Sequence, residues 1–205
     1  MPPSSRRSQR PIQKPDRVTL SSAGNLRVAV LADTHSAPHP RVLETLQALS
    51  PDAILHAGDV GDLRVLDQLS SVAKVLAVRG NIDARLPALP DRLVIDVQSP
   101  RGLASRILLL HVGLNATRLR AEVLQLARSE QASMVVCGHS HLPFIGEDHG
   151  IAVFNPGSVG PRRFGLPIVF GMLTLNDTGI HLSHVDCETG QPWLPPMSGS
   201  SRLLG

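Results

Sequence analysis

Residues 26–35 have the sequence LRVAVLADTH, and they set the pattern for the rest of the chain. The apolar run from Val28 to Leu31 is short and gives way to the polar Asp33-Thr34-His35, which predicts a buried strand followed by a turn. Apolar residues then recur at helical spacing, at Val42, Leu43, Leu46 and Leu49. The stretch therefore predicts a strand, a polar turn and a helix in succession.

The same unit recurs further along the chain. Residues 53–55 are an apolar run that leads to Gly58-Asp59, and residues 75–78 lead to Gly80-Asn81. Residues 169–185 instead form two apolar runs around a turn, which is typical of a hairpin. Alternating strands and helices followed by hairpins predict an α/β fold with two packed sheets and helices outside.

Composition limits the classes of protein. The chain has 205 residues, of which 42% are hydrophobic, and this is enough for one domain with a substantial core. No apolar run approaches the roughly 18 residues of a membrane span, and the N-terminus lacks the apolar segment of a secretory signal. We therefore expect a cytoplasmic protein without a membrane partner. Cys137 and Cys187 are the only cysteines, so a disulfide framework is not expected.

Charge and composition divide the chain into three parts. Residues 1–25 are rich in Pro, Ser and Arg and are expected to form a disordered basic arm. The net charge is +3; residues 1–26 carry five basic and one acidic residue, so the remaining chain is close to neutral. We expect one domain over residues 26–187 and an irregular tail over residues 188–205. A near-neutral body with few aromatic residues makes nucleic acid an unexpected partner.

Polar residues follow strand after strand at the point where each apolar run ends. They are Asp33, Asp59, Asn81, His111 and His139. In open sheets with helical connections, binding sites collect at the carboxyl ends of strands. Oxygen and nitrogen donors without cysteine suit Mn, Fe or Zn rather than a thiolate zinc site. Each motif alone is as compatible with an ordinary turn, and it is their number and order that indicate a metal site.

At this point the sequence resembles the calcineurin-like metallophosphoesterase superfamily, and within it the small bacterial and archaeal phosphodiesterase branch. The resemblance extends from residue 31 to residue 159. The segments that carry it are Leu31-Ala32-Asp33-Thr34-His35, His56-Ala57-Gly58-Asp59-Val60-Gly61-Asp62, Val78-Arg79-Gly80-Asn81-Ile82-Asp83, Leu110-His111, Gly138-His139-Ser140-His141 and Asn155-Pro156-Gly157-Ser158-Val159.

The resemblance implies a four-layer sandwich of two mixed sheets flanked by helices. It also implies two divalent ions, Mn first and otherwise Fe, Zn, Ni or Co. One ion would be held by Asp33, His35, Asp59 and His141. The other would be held by Asp59, Asn81, His111 and His139, so that Asp59 is the bridge. The implied activity is hydrolysis of a small phosphate ester, most often a diester, by in-line attack of a metal-bound hydroxide. Asp33, Asp59, Asn81 and His111 are accordingly the expected catalytic residues.

Other residues are secondary candidates. Arg79 is a candidate for a contact with substrate phosphate, and an ordinary arginine at a strand end is its equal alternative. Arg162 and Arg163 are candidates for binding a second phosphate or a nucleotide, and a solvated basic pair is the slightly favoured alternative. His56 and Asp83 are expected to support the ligands without binding an ion. Asp83 is also the nearest substitute for a leaving-group acid.

The chain departs from the family pattern at two places. Many family phosphatases have a histidine after the Gly-Asn ligand, where this chain has Ile82. A His-Gly-His segment is often found where this chain has His111-Val112-Gly113. The first difference agrees with the phosphodiesterase branch, which also lacks that histidine.

Several other functions stay open at this stage. One is a non-catalytic scaffold of the same fold, like the retromer subunit that resembles this family. Others are a phosphomonoesterase or nucleotide phosphatase, a nuclease, and a protein phosphatase. Ligands at all seven positions argue against the scaffold, the near-neutral body against the nuclease, and Ile82 against the protein phosphatase. A homo-oligomer is compatible with the sequence.

Overall fold

The computed structural model describes residues 16–21, 24–163 and 165–195, which form two six-stranded mixed sheets. The strands of the first sheet are β1 Asp16–Ser21, β5 Arg92–Ser99, β6 Gly102–Leu110, β9 Met134–Val136, β10 Phe144–Asp148 and β11 Ile151–Asn155. They lie in the order β1-β5-β6-β9-β11-β10.

The strands of the second sheet are β2 Leu26–Leu31, β3 Ala53–His56, β4 Lys74–Ala77, β12 Val169–Asn176, β13 Gly179–Asp186 and β14 Pro192–Trp193. Their order is β14-β13-β12-β2-β3-β4. A separate small hairpin joins β7 Leu114–Asn115 to β8 Arg118–Leu119.

The strands are apolar because most of them are buried on both faces. In β2, Val28 and Val30 point into the core between the two sheets, and Leu31 points to the opposite face, as alternate residues of a strand must. Helices α1 Val42–Leu49 and α2 Arg64–Ser70 cover that outer face.

On the far side, α3 Ala121–Ser129 covers the first sheet through Val123 and Ala127. The order of layers is therefore helix, sheet, sheet, helix. This confirms the predicted α/β four-layer sandwich of two mixed sheets flanked by helices.

Parallel pairing brings the polar turns to one edge of the sandwich. Strands β2, β3 and β4 are parallel neighbours in the second sheet, and β6, β9 and β11 are parallel neighbours in the first. Their carboxyl ends therefore lie side by side. Backbone hydrogen bonds join the turns directly, from the Asp33 N–H to the Gly58 carbonyl at 2.9 Å and from the Gly138 N–H to the His111 carbonyl at 3.0 Å.

The predicted termini differ from the structure. The prediction of disorder over residues 1–25 is wrong for residues 16–21, which form β1, pair in parallel with β5 and bury Leu20. In the predicted tail over residues 188–205, β14 pairs with β13. Residues 1–15, 22–23 and 196–205 lie outside the described residues, and elsewhere the three-part division stays a prediction.

The third helix begins later than its apolar spacing suggests. The pattern over residues 116–129 predicts one helix, but Leu119 lies in β8 and its N–H donates to the Asp148 carboxylate at 2.9 Å. That bond anchors the hairpin ahead of the helix, which begins at Ala121. None of the helices in the described ranges is long and apolar enough to cross a membrane.

Candidate metal centre

Asp33 and Asp59 lie at the edge of the sandwich where the carboxyl ends of the parallel strands meet. Asp33 follows β2 and its side chain is fully buried, while Asp59 follows β3 and is 5% exposed. Asp33 Oδ2 accepts a hydrogen bond from the backbone N–H of His139 at 3.0 Å, and Asp59 Oδ1 accepts one from Ile82 at 3.1 Å. These bonds fix both carboxylates against turns that come from other strands.

Three imidazoles surround the two carboxylates. His141 Nε2 is 3.3 Å from Asp33 Oδ1, and His35 Nε2 is 3.9 Å from the same oxygen. The His35 and His141 rings stack with centroids 5.2 Å apart. On the other side, His111 Nε2 is 3.3 Å from Asp59 Oδ1. The structure thus brings five of the seven predicted ligands into direct proximity.

The other two predicted ligands lie on the His111 side. The His139 ring meets the His111 ring edge to face, with centroids 5.2 Å apart. Asn81 and His111 line the same recess. All seven predicted positions therefore converge on one edge of the sandwich.

Five of these residues have left-handed backbone conformations, which non-glycine residues seldom adopt. The φ angles are 56° at Asp33, 47° at His35, 54° at Asp59, 72° at His139 and 59° at His141. Such conformations cost of order 1–3 kcal/mol each and cluster at functional sites, where the surrounding structure enforces them. The turns are therefore shaped for the placement of side chains, at some expense of backbone stability.

Glycines allow the turns to approach each other closely. A Cβ at Gly80 would lie 2.2 Å from Asp59 Oδ1, and one at Gly58 would lie 2.8 Å from His111 Nδ1. Neither turn has room for a larger residue. Gly58 and Gly80 are therefore required for the carboxylate and the imidazole to occupy their places.

The donor set fits a divalent ion. Within the described part of the chain, two buried side-chain atoms have no hydrogen-bond partner, and they are Asp33 Oδ1 and His111 Nε2. The Nδ1–H of His111 donates to the Ala57 carbonyl at 2.8 Å, so Nε2 carries the lone pair that faces the site. Ligand atoms of Asp33, His35 and His141 lie within 4.8 Å of one another, as do those of Asp33, Asp59 and His111. Unpaired buried acceptors are costly unless a cation satisfies them.

The close packing of carboxylates and imidazoles in the site shifts their pKa values. Burial lowers the pKa of His111, but the neighbouring Asp59 and Asp33 carboxylates outweigh it, so the net pKa lies above its ordinary value. Burial also acts to raise the pKa of Asp59, yet His111 and the Ile82 N–H hold that pKa well below its usual range. Asp59 is therefore ionised at neutral pH and available as an anionic ligand.

Asp83 joins two of the ligand turns. Its side chain is fully buried, and its two oxygens accept backbone hydrogen bonds from Val60, Gly61 and Gly80 at 2.8 to 2.9 Å. The first two donors follow Asp59 and the third precedes Asn81. Because both oxygens are occupied by backbone donors, the contacts favour a supporting role over that of a leaving-group acid.

His56 braces the turn that carries Asp33. It is fully buried, and its Nε2 lies 3.1 Å from the hydroxyl of Thr34, which also bonds to the Val60 carbonyl at 3.0 Å. Burial lowers the pKa of His56 from 6.5 to about 4. The folded protein therefore holds this ring neutral over most of the accessible pH range.

This lowered pKa predicts a loss of stability on mild acidification. Below about pH 6.5 the unfolded chain binds a proton at His56 that the folded protein binds only near pH 4, so unfolding becomes easier as pH falls. We expect the unfolding free energy of metal-free protein to drop by about 1.5 kcal/mol between pH 6.5 and pH 5 through this residue. Urea unfolding in the presence of a chelator measures it.

The matched variant is His56→Gln, which should lack this part of the pH dependence, whereas His149→Gln, at an exposed histidine, should retain it. The raised pKa of His111 affects stability in a different pH range. The stabilisation that His111 contributes is complete below pH 6.5 and is lost as pH rises through the pKa of the folded state. An identical slope between pH 6.5 and 5 in the parent and in His56→Gln would contradict the assignment.

The sequence did not reveal the support of the His139 turn. Asn155 Nδ2 donates to the Gly138 carbonyl at 2.9 Å, and the Asn155 carbonyl is 2.8 Å from the ring of His184. His184 lies in β13, and its side chain is buried. Alternation with the core-facing Ile180 and Leu182 is the signal that would have placed it inside.

The three candidate arginines have different surroundings. Arg79 pairs with Asp91 through a guanidinium-carboxylate hydrogen bond. Arg162 pairs with Glu188 and also donates to the Leu166 carbonyl at 3.0 Å. Arg163 makes no ion pair or side-chain hydrogen bond with any described residue. The structure therefore leaves Arg163 as the guanidinium available for an anion.

Sequence comparison agrees with this geometry. The family model for the calcineurin-like phosphoesterase superfamily domain matches residues 26–178. A probable metallophosphoesterase of Methanocaldococcus jannaschii is 31% identical over 141 residues, which are 66% of this chain and 69% of that protein. Phosphodiesterase YfcE of Escherichia coli is 34% identical over 113 residues, 54% of this chain and 58% of that protein.

Solved structures give the same grouping. The E. coli YfcE structure aligns with a TM-score of 0.59 and 25% identity, over 82% of this chain and 97% of that chain. Vacuolar protein sorting 29 of Cryptosporidium parvum aligns with a TM-score of 0.67 and 20% identity, over 84% and 96% of the two chains, which shows a common fold. The matched residues include strands of both sheets and every turn of the site, and the chain belongs to the calcineurin-like phosphoesterase superfamily.

Proposed function

We propose that this protein is a phosphodiesterase that hydrolyses a small phosphate ester with the help of two divalent ions, Mn foremost. The ligands proposed are Asp33, His35, Asp59, Asn81, His111, His139 and His141. Family membership supports the metal-dependent phosphoesterase, and the YfcE relative supports the diester.

The observation that carries the proposal is the pair of orphaned acceptors. Asp33 Oδ1 and His111 Nε2 are buried, point into the shared edge and have no hydrogen-bond partner among the described residues. Where buried polar atoms have only a structural role, they normally form hydrogen bonds within the protein. A bound cation accounts for both at once.

Asp59 is the proposed bridge because its two oxygens face different groups. Oδ2 is 3.8 Å from His35 Nε2, and Oδ1 is 3.3 Å from His111 Nε2. Asp33 differs, since both of its neighbouring imidazoles, His35 and His141, lie on the same oxygen, Oδ1. This division supports one ion beside His35 and His141 and a second beside His111.

The residues of the chain set up the reaction. When bound, the ions would activate water as a nucleophile and offset charge on the phosphoryl oxygens. Asp59 and Asp33 supply the negative charge that attracts cations, and the Ala57 carbonyl orients His111 so that Nε2 faces the site. Asp83 and His56 hold the turns in register.

The chief alternative is a non-catalytic scaffold of the same fold, which is compatible with the likeness to vacuolar protein sorting 29. A scaffold does not need five strained backbone positions or two buried acceptors at one edge. A phosphomonoesterase would use the same ions, and the choice of substrate separates it from the proposed diesterase.

Metal analysis combined with hydrolysis tests the proposal. After reconstitution with Mn²⁺ and gel filtration, we expect about two ions per chain by elemental analysis and turnover of bis(4-nitrophenyl) phosphate above that of 4-nitrophenyl phosphate. The matched control is His149→Ala, at an exposed histidine that pairs with Asp148, and it should bind and react like the parent. One ion per chain would contradict the dinuclear site. Two ions without hydrolysis of any ester would favour the scaffold.

A further inference from the structure

The two ends of the site differ in charge. Beside Asn81 and His111 lies a recess of about 410 Å³. It is lined by Arg79, Gly80, Asn81, Ala84, Asp91, Leu110, His111 and Val112. Its two charged side chains, Arg79 and Asp91, form an ion pair with each other. This end of the site is therefore wide, partly apolar and close to neutral.

The other end is basic. The loop after β11 lies directly on the Asp33 turn, because a Cβ at Gly160 would be 2.3 Å from the Asp33 carbonyl oxygen and the Ser158 hydroxyl donates to that same oxygen at 3.1 Å. Three residues after Gly160, Arg163 lines a small hollow together with His141. The loop thus places a guanidinium next to the imidazole end of the metal centre.

Arg163 is the available charge at that end. Its neighbour Arg162 pairs with the carboxylate of Glu188. Arg41 donates a hydrogen bond to the backbone carbonyl of the same residue. Arg163 is exposed and is bound by none of the described side chains.

We infer that the substrate is an asymmetric diester, with a second anionic group that Arg163 binds and a neutral substituent that fills the recess beside Asn81 and His111. This rests on the proposed phosphoesterase site. The guanidinium offers paired donors to a carboxylate or phosphate oxygen. The recess has a neutral lining, so it selects for volume rather than charge.

Binding of two small phosphonates to Mn²⁺-loaded full-length protein tests this inference. Methylphosphonate and phosphonoacetate share the group that occupies the metal centre and differ by one carboxylate. By calorimetry we expect phosphonoacetate to bind the parent roughly 3- to 10-fold more tightly, as a charge-assisted contact at an exposed arginine allows. In Arg163→Gln the two dissociation constants should agree within about twofold.

Arg128→Gln is the matched control, because it removes the same charge from the exposed face of α3, on the outer side of the first sheet. It should keep the preference of the parent. Equal affinity for the two anions in the parent, no measurable binding of phosphonoacetate, or a preference that survives in Arg163→Gln would each overturn the inference.

Turnover separates this inference from the proposed function. 4-Nitrophenyl ethyl phosphate and 4-nitrophenyl 2-carboxyethyl phosphate have the same leaving group, and the second should have the higher kcat/KM in the parent but not in Arg163→Gln. Hydrolysis of both diesters at equal rates would overturn the inference and leave the phosphodiesterase standing. A binding preference without hydrolysis of either diester would overturn the phosphodiesterase and leave the anion site standing.

Discussion

Replacement of Asp59 by Asn is expected to lower kcat/KM for a small diester by roughly 10³-fold or more, because it removes the anion that both proposed ions share. The fold should survive. Asn tolerates the left-handed backbone at this position, where φ is 54°, and its amide oxygen still accepts the Ile82 N–H. The measurements are kcat/KM and the number of ions bound after Mn²⁺ reconstitution.

Asp62→Asn is the matched control, since it makes the same change three residues away at a partly exposed carboxylate that pairs with Arg64. It should bind metal and turn over substrate like the parent. Thermal melting with a chelator present checks that Asp59→Asn is folded. An Asp59→Asn enzyme that is folded and keeps more than about a tenth of the parent kcat/KM would rule out the bridging role.

The second large effect concerns the leaving group. Ile82 stands where many family phosphatases have a histidine, and its hydrocarbon side chain has no proton to donate. General acid catalysis is typically worth about 10²–10⁴ in rate. We therefore expect aryl diesters with acidic leaving groups to react well and alkyl diesters to react slower by a factor of that order. Single-turnover rates across a series of substituted phenyl diesters, which isolate the chemical step, measure the dependence on leaving-group pKa.

The variant Asp83→Asn tests whether Asp83, the carboxylate next to Ile82, protonates the leaving group. Because both Asp83 oxygens accept backbone N–H groups, the variant should lose stability and rate but keep the slope of the parent. A nearly flat parent line would show that a general acid is present. A line that becomes steep only in Asp83→Asn would identify Asp83 as that acid.

Sequence patterns predicted the α/β sandwich and the positions that converge at its edge. A buried strand and the turn after it are encoded by neighbouring residues, as in Val28 to Asp33. Parallel pairing then places the ends of such strands side by side without further information. These rules bring Asp33 and Asp59 together within the second sheet, whereas His111 follows a strand of the first sheet and reaches them through the packing of the two sheets. The resemblance to a known family assigned the ions.

Local sequence patterns did not predict the terminal strands. In β1, Leu20 becomes buried only because residues 16–21 pair with β5, more than seventy residues later in the chain. Arg17 adds ion pairs with Asp96 of β5 and with Glu130, the residue that follows α3. A short stretch that is rich in polar residues gives no sign of such partners when it is examined alone.

The sequence by itself determined the alternation of strands and helices, and hence the fold class, and it determined which turns carry the seven candidate ligands. The tertiary structure decided which charges remain available. Arg162 and Arg163 are adjacent and chemically equal, yet Glu188 pairs with the first and leaves the second beside His141, without an ion pair among the described residues. The reason is physical: strand and turn formation depends on residues near in sequence, whereas the pairing and burial of a charge depend on residues that only folding brings near.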